Sequence, residues 1–249
     1  PILEFDPAPE ALIEPSKTIR PRDIPEHCVI CFFAEVLEEV VRVHGARVVA
    51  EINWESGPHK VYEIVVQGRR LAFFHPGVGA PLAAGLLEEV IAFGARKFIA
   101  CGGCGVLNKE IAVGNLVVVN SAVRDEGVSY HYLPPGREVV AQAEGINALV
   151  NTLDARGVPY LLGKTWTTDA VYRETVNKIN ARRAEGCLVV EMEAASLIAV
   201  AQFRQVLFGQ VLYGGDDLSG ANWDHRDWQS RRQVRENLFW LAAEACLTL

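Results

Sequence analysis

The sequence lacks any stretch approaching the roughly 18 uninterrupted apolar residues that a membrane span requires. Its opening 25 residues mix Glu4, Asp6, Glu10 and Glu14 with prolines from Pro1 to Pro25, which is neither a span nor a signal peptide. There is no stripe of Lys and Arg, and the net charge is −7, so a nucleic-acid duplex is excluded as the expected partner. Cysteine is sparse, at 6 in 249 residues, with no dense framework of short spacings, which points to free thiols and a reducing cytoplasm. No internal repeat or flexible linker divides the chain. A dinucleotide fingerprint is missing too: counting from Gly103 and Gly105, the third glycine position of G-x-G-x-x-G is Asn108, which disfavours a nicotinamide cofactor.

What is present is an ordinary globular composition, half hydrophobic and 22% charged, with 21 Gly and 12 Pro. Residues 1–25 read as an extended arm laid over the surface or a neighbouring subunit, and residues 26–249 as one α/β domain. Cys28 to Phe33 is a continuous apolar run, the pattern of a strand buried on both faces, and helical spacing follows from Glu35 to the stop at Gly45. Val61–Val66 and Leu71–Phe74 flank a hairpin turn. Gly79 and Pro81 open an apolar helix that ends before Gly94. Lys97–Cys101 then reads as a strand entering a glycine loop, Gly102 to Gly105. Leu116–Val119, Tyr160–Thr167, Leu188–Val190 and Val206–Tyr213 read as further strands. Glu138–Arg156, Thr175–Ala184, Ala194–Phe203 and Trp228–Cys246 read as helices. Alternation of this kind predicts a three-layer α/β/α fold around a mixed, mostly parallel sheet.

Ligands in such sheets bind beyond the carboxyl ends of the strands, so the segments that follow the apolar runs are the candidate sites. Gly102 to Gly105 offer close backbone approach and free N–H groups, or a simple tight turn. Glu191-Met192-Glu193 precede an apolar helix; two acids there either answer the helix dipole or grip vicinal hydroxyls, with Met192 as a flexible apolar contact. Asp216 and Asp217 follow Gly214-Gly215, and a partly desolvated acid at that point can protonate a leaving group; the sequence does not distinguish the two. Trp166 to Tyr172 and Tyr130-His131-Tyr132 supply aromatic and hydroxyl groups suited to flanking a planar ring. Two C-x-x-C pairs, Cys28/Cys31 and Cys101/Cys104, invite a zinc reading, but residues three apart on a strand point to opposite faces, so no metal site is expected.

Together these segments resemble the nucleoside phosphorylase family, which includes hexameric purine nucleoside phosphorylase, uridine phosphorylase and methylthioadenosine nucleosidase. The resemblance runs from about Cys28 to the C-terminus and is most specific at Val190-Glu191-Met192-Glu193-Ala194-Ala195. Gly77-Val78-Gly79, Gly102 to Gly105, Val123 to Gly127, Thr167 to Ala170 and the Asp216 turn follow in the family's order. It implies cleavage of a ribonucleoside N-glycosidic bond through an oxocarbenium-like transition state, with phosphate or water as acceptor. By the same resemblance Glu191, Met192 and Glu193 would bind ribose, Glu193 and Asp216 would be catalytic, and Val171, Tyr172, Gly105 and Asp216 would face the base. Inorganic phosphate is the one co-substrate implied, with no cofactor, a nucleoside as small-molecule partner, and a homo-oligomer (dimer, trimer or hexamer) as the assembly.

The chain departs from that family at its phosphate site. The G-D-P-x-R turn is replaced, with Phe33 at the glycine and Leu37 at the arginine, and the second arginine position is Ala100. Arginine's bidentate fork is the usual phosphate holder. Either water replaces phosphate, or Lys17, Arg20, Arg22 or Arg124 holds it from elsewhere; Gly102, Gly103, Phe33 and Arg124 are the acceptor-site candidates. A nucleoside-binding or regulatory protein without turnover is the alternative of a different class.

Overall fold

The computed structural model describes residues 1–249. The arm is held by the buried Glu14, which pairs with Arg204, itself bound to Glu88 at 2.7 Å. It is not wholly extended, since Pro15–Thr18 forms a short helix, α1, started by a proline whose missing N–H costs nothing there.

The body begins with β1 (His27–Cys31), buried throughout, and α2 (Ala34–His44), which ends on the left-handed Gly45. Three antiparallel-linked strands follow: β2 (Arg47–Trp54), β3 (Gly57–Val66) and β4 (Arg69–Phe74). The β3–β4 turn is Gln67-Gly68, both with positive φ, as a two-residue hairpin matched to strand twist demands. Next come α3 (Ala80–Phe93), β5 (Lys97–Val106), β6 (Leu116–Asp125), α4 (Ser129–Tyr132), β7 (Glu138–Val140), α5 (Ala143–Ala155) and β8 (Tyr160–Thr168). The chain closes with α6 (Val176–Ala184), β9 (Cys187–Glu191), α7 (Ala194–Phe203), β10 (Leu207–Asp217) and α8 (Arg232–Thr248), preceded by a 3₁₀ turn at Trp228–Ser230.

All ten strands form one mixed sheet. Strands β4, β1, β5 and β10 run parallel at its centre, and antiparallel pairs flank them. Because β10 pairs with both β5 and β6, the strands β5, β9, β8, β6 and β10 close on themselves, removing two exposed edges. Apolar residues of α3 and α7 cover one face, and those of α2, α5 and α8 cover the other, giving the three layers. Every residue of α7 from Ala194 to Ala201 is buried, so this helix has no solvent face and its small side chains let it press against the sheet.

Several expectations change. Gly102 to Gly105 are not a loop but the last part of β5, paired with β10 and β9, because extended backbone suits glycine when neighbours on both sides supply the ladder. The Asp216-Asp217 segment likewise lies inside β10. The stretch 138–156 divides into β7 and α5, since Val139 pairs across to Ala122 before the helix starts. All six cysteines are buried free thiols, and Cys31 faces Cys101 across the β1–β5 pair. No helix is long and apolar enough to cross a membrane.

Candidate active site

A cavity of about 280 Å³ opens where β1, β5, β9 and β10 end. That volume is close to the roughly 300 Å³ at which small-molecule pockets begin. A larger hollow of about 750 Å³ lies under the N-terminal arm, but its most buried charges, Glu14, Arg204 and Glu88, are spent on one another. Chemistry concentrates in the smaller cavity.

One wall is the end of β9. Glu191 accepts four hydrogen bonds: from the hydroxyls of Thr165 (3.2 Å) and Thr167 (2.6 Å) on Oε1, and from the backbone N–H groups of Glu193 and Ala194 (2.6 Å each) on Oε2. It thereby satisfies the first turn of α7, whose N–H groups have no partner within the helix, and the helix dipole favours the negative charge. Thr167 adds a bond from the Ala195 N–H. Glu193 is held more lightly, by the N–H of Gly79 at 2.6 Å and of Met192 at 3.3 Å. Gly79 stands at φ +93, a region that favours glycine, so the turn that aims this N–H at the carboxylate depends on it. Burial, and next the charge of Glu191, push Glu193 up to about 8. Burial raises the Glu191 carboxyl as well, while its four hydrogen bonds pull the other way. The less bonded Glu193 is therefore the member of the pair that keeps a proton at neutral pH.

The end of β10 brings two further acids to the same region. Asp216 lines the cavity and accepts a hydrogen bond from the Trp223 indole at 2.7 Å. Asp217 is instead engaged by Arg226 and by the Ser219 N–H, so the structure separates the two adjacent aspartates by environment. Glu174, which sequence reasoning missed, lines the same cavity; burial and the Asp216 charge push it up to about 7. Gly105 makes room here, because a Cβ on it would lie 3.0 Å from Val190 and 2.5 Å from Leu218.

Phe33, Gly102, Gly103, Gly105, Val171, Met192, Glu191, Glu193 and Asp216 thus come together in the lining of one cavity. Two candidates do not. Tyr172 is 96% exposed and does not line the cavity, because the 3₁₀ turn at Val171–Arg173 directs only Val171 inward. Arg124 is 5% exposed and spends its guanidinium on Ser129 and on the carbonyls of Leu133 and Pro134, over the Tyr130 ring. Lys17, Arg20 and Arg22 are also absent from the lining. The aromatic walls are Phe32, Phe33 and Trp228; Trp166 is instead fully buried against Asp125, and Tyr132 packs on Phe203. The one cation in the lining is Arg235 of α8, 4.6 Å above the Phe33 ring and 2.9 Å from Glu35, an ion pair outside hydrogen-bond alignment. Sequence periodicity assigns Arg235 to the solvated face of the last helix. Gln210, inside the apolar run of β10, is a further lining residue without a sequence signal.

The chain is 27% identical to guanosine phosphorylase of Halorubrum lacusprofundi over 173 residues, 70% of this chain and 72% of that one. Its fold superposes on purine nucleoside phosphorylase of Toxoplasma gondii, crystallised with immucillin-H, with TM-score 0.78 at 22% identity, covering 91% of this chain and 92% of the other. AMP nucleosidase of Bacteroides thetaiotaomicron matches with TM-score 0.73 at 21% identity, covering 91% and 89%. The sequence profile of the Phosphorylase superfamily matches residues 26–247, nearly the whole body. The protein belongs to the Phosphorylase superfamily.

Proposed function

We propose that this protein cleaves the N-glycosidic bond of a ribonucleoside through an oxocarbenium-like transition state, with water as the acceptor. The observation that carries the reading is that Glu193, Asp216 and Glu174 line one small cavity. Glu193, beside Met192, grips the ribose hydroxyls, and the charge of Glu191 behind it favours the cationic transition state over the neutral substrate. The Asp216–Glu174 pair supplies the proton that the departing base needs, Glu174 holding it near neutral pH. Val171 and Gly105 lie along the base.

The choice of water rests on charge. Four carboxyl groups, Glu174, Glu191, Glu193 and Asp216, line the cavity against one guanidinium, which Glu35 already partners. Even with protons held on Glu174 and Glu193, phosphate would bring negative charge into a poorly solvated space that offers no free cation to pair it. Phosphorolysis is the second reading, and the name of the Halorubrum relative favours it. Inorganic phosphate would then be the co-substrate, and no other cofactor belongs to either reading. Six free thiols support a cytoplasmic setting. Exposed Val78 and Val171 at the cavity rim support a homo-oligomer that covers them.

Release of free base from a panel of adenosine, guanosine, inosine, uridine and methylthioadenosine tests the reading. Base release by the wild type, abolished in Glu193→Ala, is the expected result. Binding of a nucleoside without any base release would establish a binding protein instead.

A further inference from the structure

Gln210 is 2% exposed, lines the cavity, and has no hydrogen-bond partner on either its amide oxygen or its amide nitrogen. It sits on β10 directly across from Ala100 of β5, in a row that continues to Ile30 of β1. The next row toward the cavity mouth is Leu212 beside Gly102, with the Phe32 ring against Gly102. Its surroundings along the sheet are thus methyl, aliphatic and aromatic. A buried amide left unpaired among them is costly, and an unpaired group of this kind in a folded protein calls for an explanation. Structural bonding is not the explanation, because no protein group meets it.

We propose that the Gln210 amide holds the nucleophile of the reaction, and that this nucleophile is water; the inference rests on the cleavage reading above. A primary amide presents N–H donors and a carbonyl acceptor side by side, which matches a water molecule that both donates and accepts. A phosphate dianion has one hydroxyl donor among acceptor oxygens, and it would bring two negative charges to a lining whose one guanidinium is already partnered by Glu35. The Ala100 methyl is the neighbour across the strand pair, and one row on the Phe32 ring and Leu212 close over Gly102, so the amide faces the cavity between small and apolar groups. In the reaction the water oxygen bonds to the anomeric carbon as the carbon–nitrogen bond breaks. The bonding pair leaves with the base; one water proton passes to solvent and replaces the proton that the Asp216–Glu174 pair gives to that base.

Gln210→Leu and Gln210→Ala separate this role from a structural one. Base release by the wild-type protein, measured first on the nucleoside it turns over fastest, tests the cleavage reading by itself. Given that activity, Gln210→Leu is expected to lower kcat at least about tenfold while KM for the nucleoside stays within about twofold. Its melting temperature stays level or rises, since an apolar isostere removes an unpaired buried polar group. Gln210→Ala in the presence of methanol is expected to form methyl riboside in a larger fraction than the wild type, because the enlarged pocket admits the alcohol in place of water. An unchanged kcat in Gln210→Leu overturns the proposal. So does a fall in kcat matched by a fall in melting temperature, which marks a structural side chain, and so does methyl riboside formation equal to that of the wild type.

Discussion

The backbone N–H of Glu193 donates to the carboxylate of Glu191 at 2.6 Å, so each acid sets the state of the other. Glu191, bonded four times, holds the helix start and its charge raises its neighbour; Glu193, pushed up to about 8, faces the cavity carrying a proton. A carboxyl raised on folding binds protons more tightly in the folded than in the unfolded state. The stability that this carboxyl contributes therefore falls as pH rises from the ordinary carboxyl range near 4.5 to about 8. Urea denaturation at pH 5 and pH 8 measures this, and Glu193→Gln is expected to flatten the decline. An equal slope in both proteins contradicts the assignment.

Removing Glu191 leaves two helix N–H groups and two threonine hydroxyls buried without their acceptor. Glu191→Ala is expected to destabilise the fold by about 3 kcal/mol, read as a lower urea midpoint. Glu193→Ala, which frees only two lightly used donors, is expected to cost less stability than Glu191→Ala while abolishing turnover.

The two neighbouring aspartates are expected to part ways. Asp216→Asn removes an acid that lines the cavity and should lower kcat about a hundredfold. Asp217→Asn loosens the contact with Arg226 and should leave kcat within about twofold, while lowering the melting temperature. Steady-state kinetics on both variants reads the split, and equal losses of kcat in the two would contradict it.

Glu174, pushed up to about 7, gives activity a descending limb: the proton donor is present below that value and lost as pH rises through it. The kcat/KM profile should fall above about pH 7, and Glu174→Gln should remove that part of the fall. A wild-type profile flat through pH 8 would contradict the role.

Most of the frame was legible in the residues. The unbroken apolar run of β1, the Gln67-Gly68 hairpin and the Gly79-Pro81 helix start are local signals, and the structure contains each of them. The Glu191-Met192-Glu193 wall was legible because acids between an apolar strand and an apolar helix mark the strand's carboxyl end, although Glu191 also caps that helix. What was hidden depends on distant packing. Arg235 falls on the polar stripe of α8 by period, yet that helix lies over Phe33 at the cavity. Gln210 is a single polar residue in an apolar strand, and its meaning comes from Ala100 across the sheet. Tyr172 and Arg124 erred in the other direction, since a motif places a residue near a site without saying whether its side chain turns inward. β2 alternates weakly around a bulge between Val48 and Ala50, which blurs the period-two signal.

The most direct test of the account is the identity of the sugar released in ¹⁸O-labelled water, with and without phosphate, followed by mass spectrometry. The account predicts free pentose carrying one labelled oxygen, in the same yield in both conditions. Ribose 1-phosphate formed only when phosphate is present would contradict it.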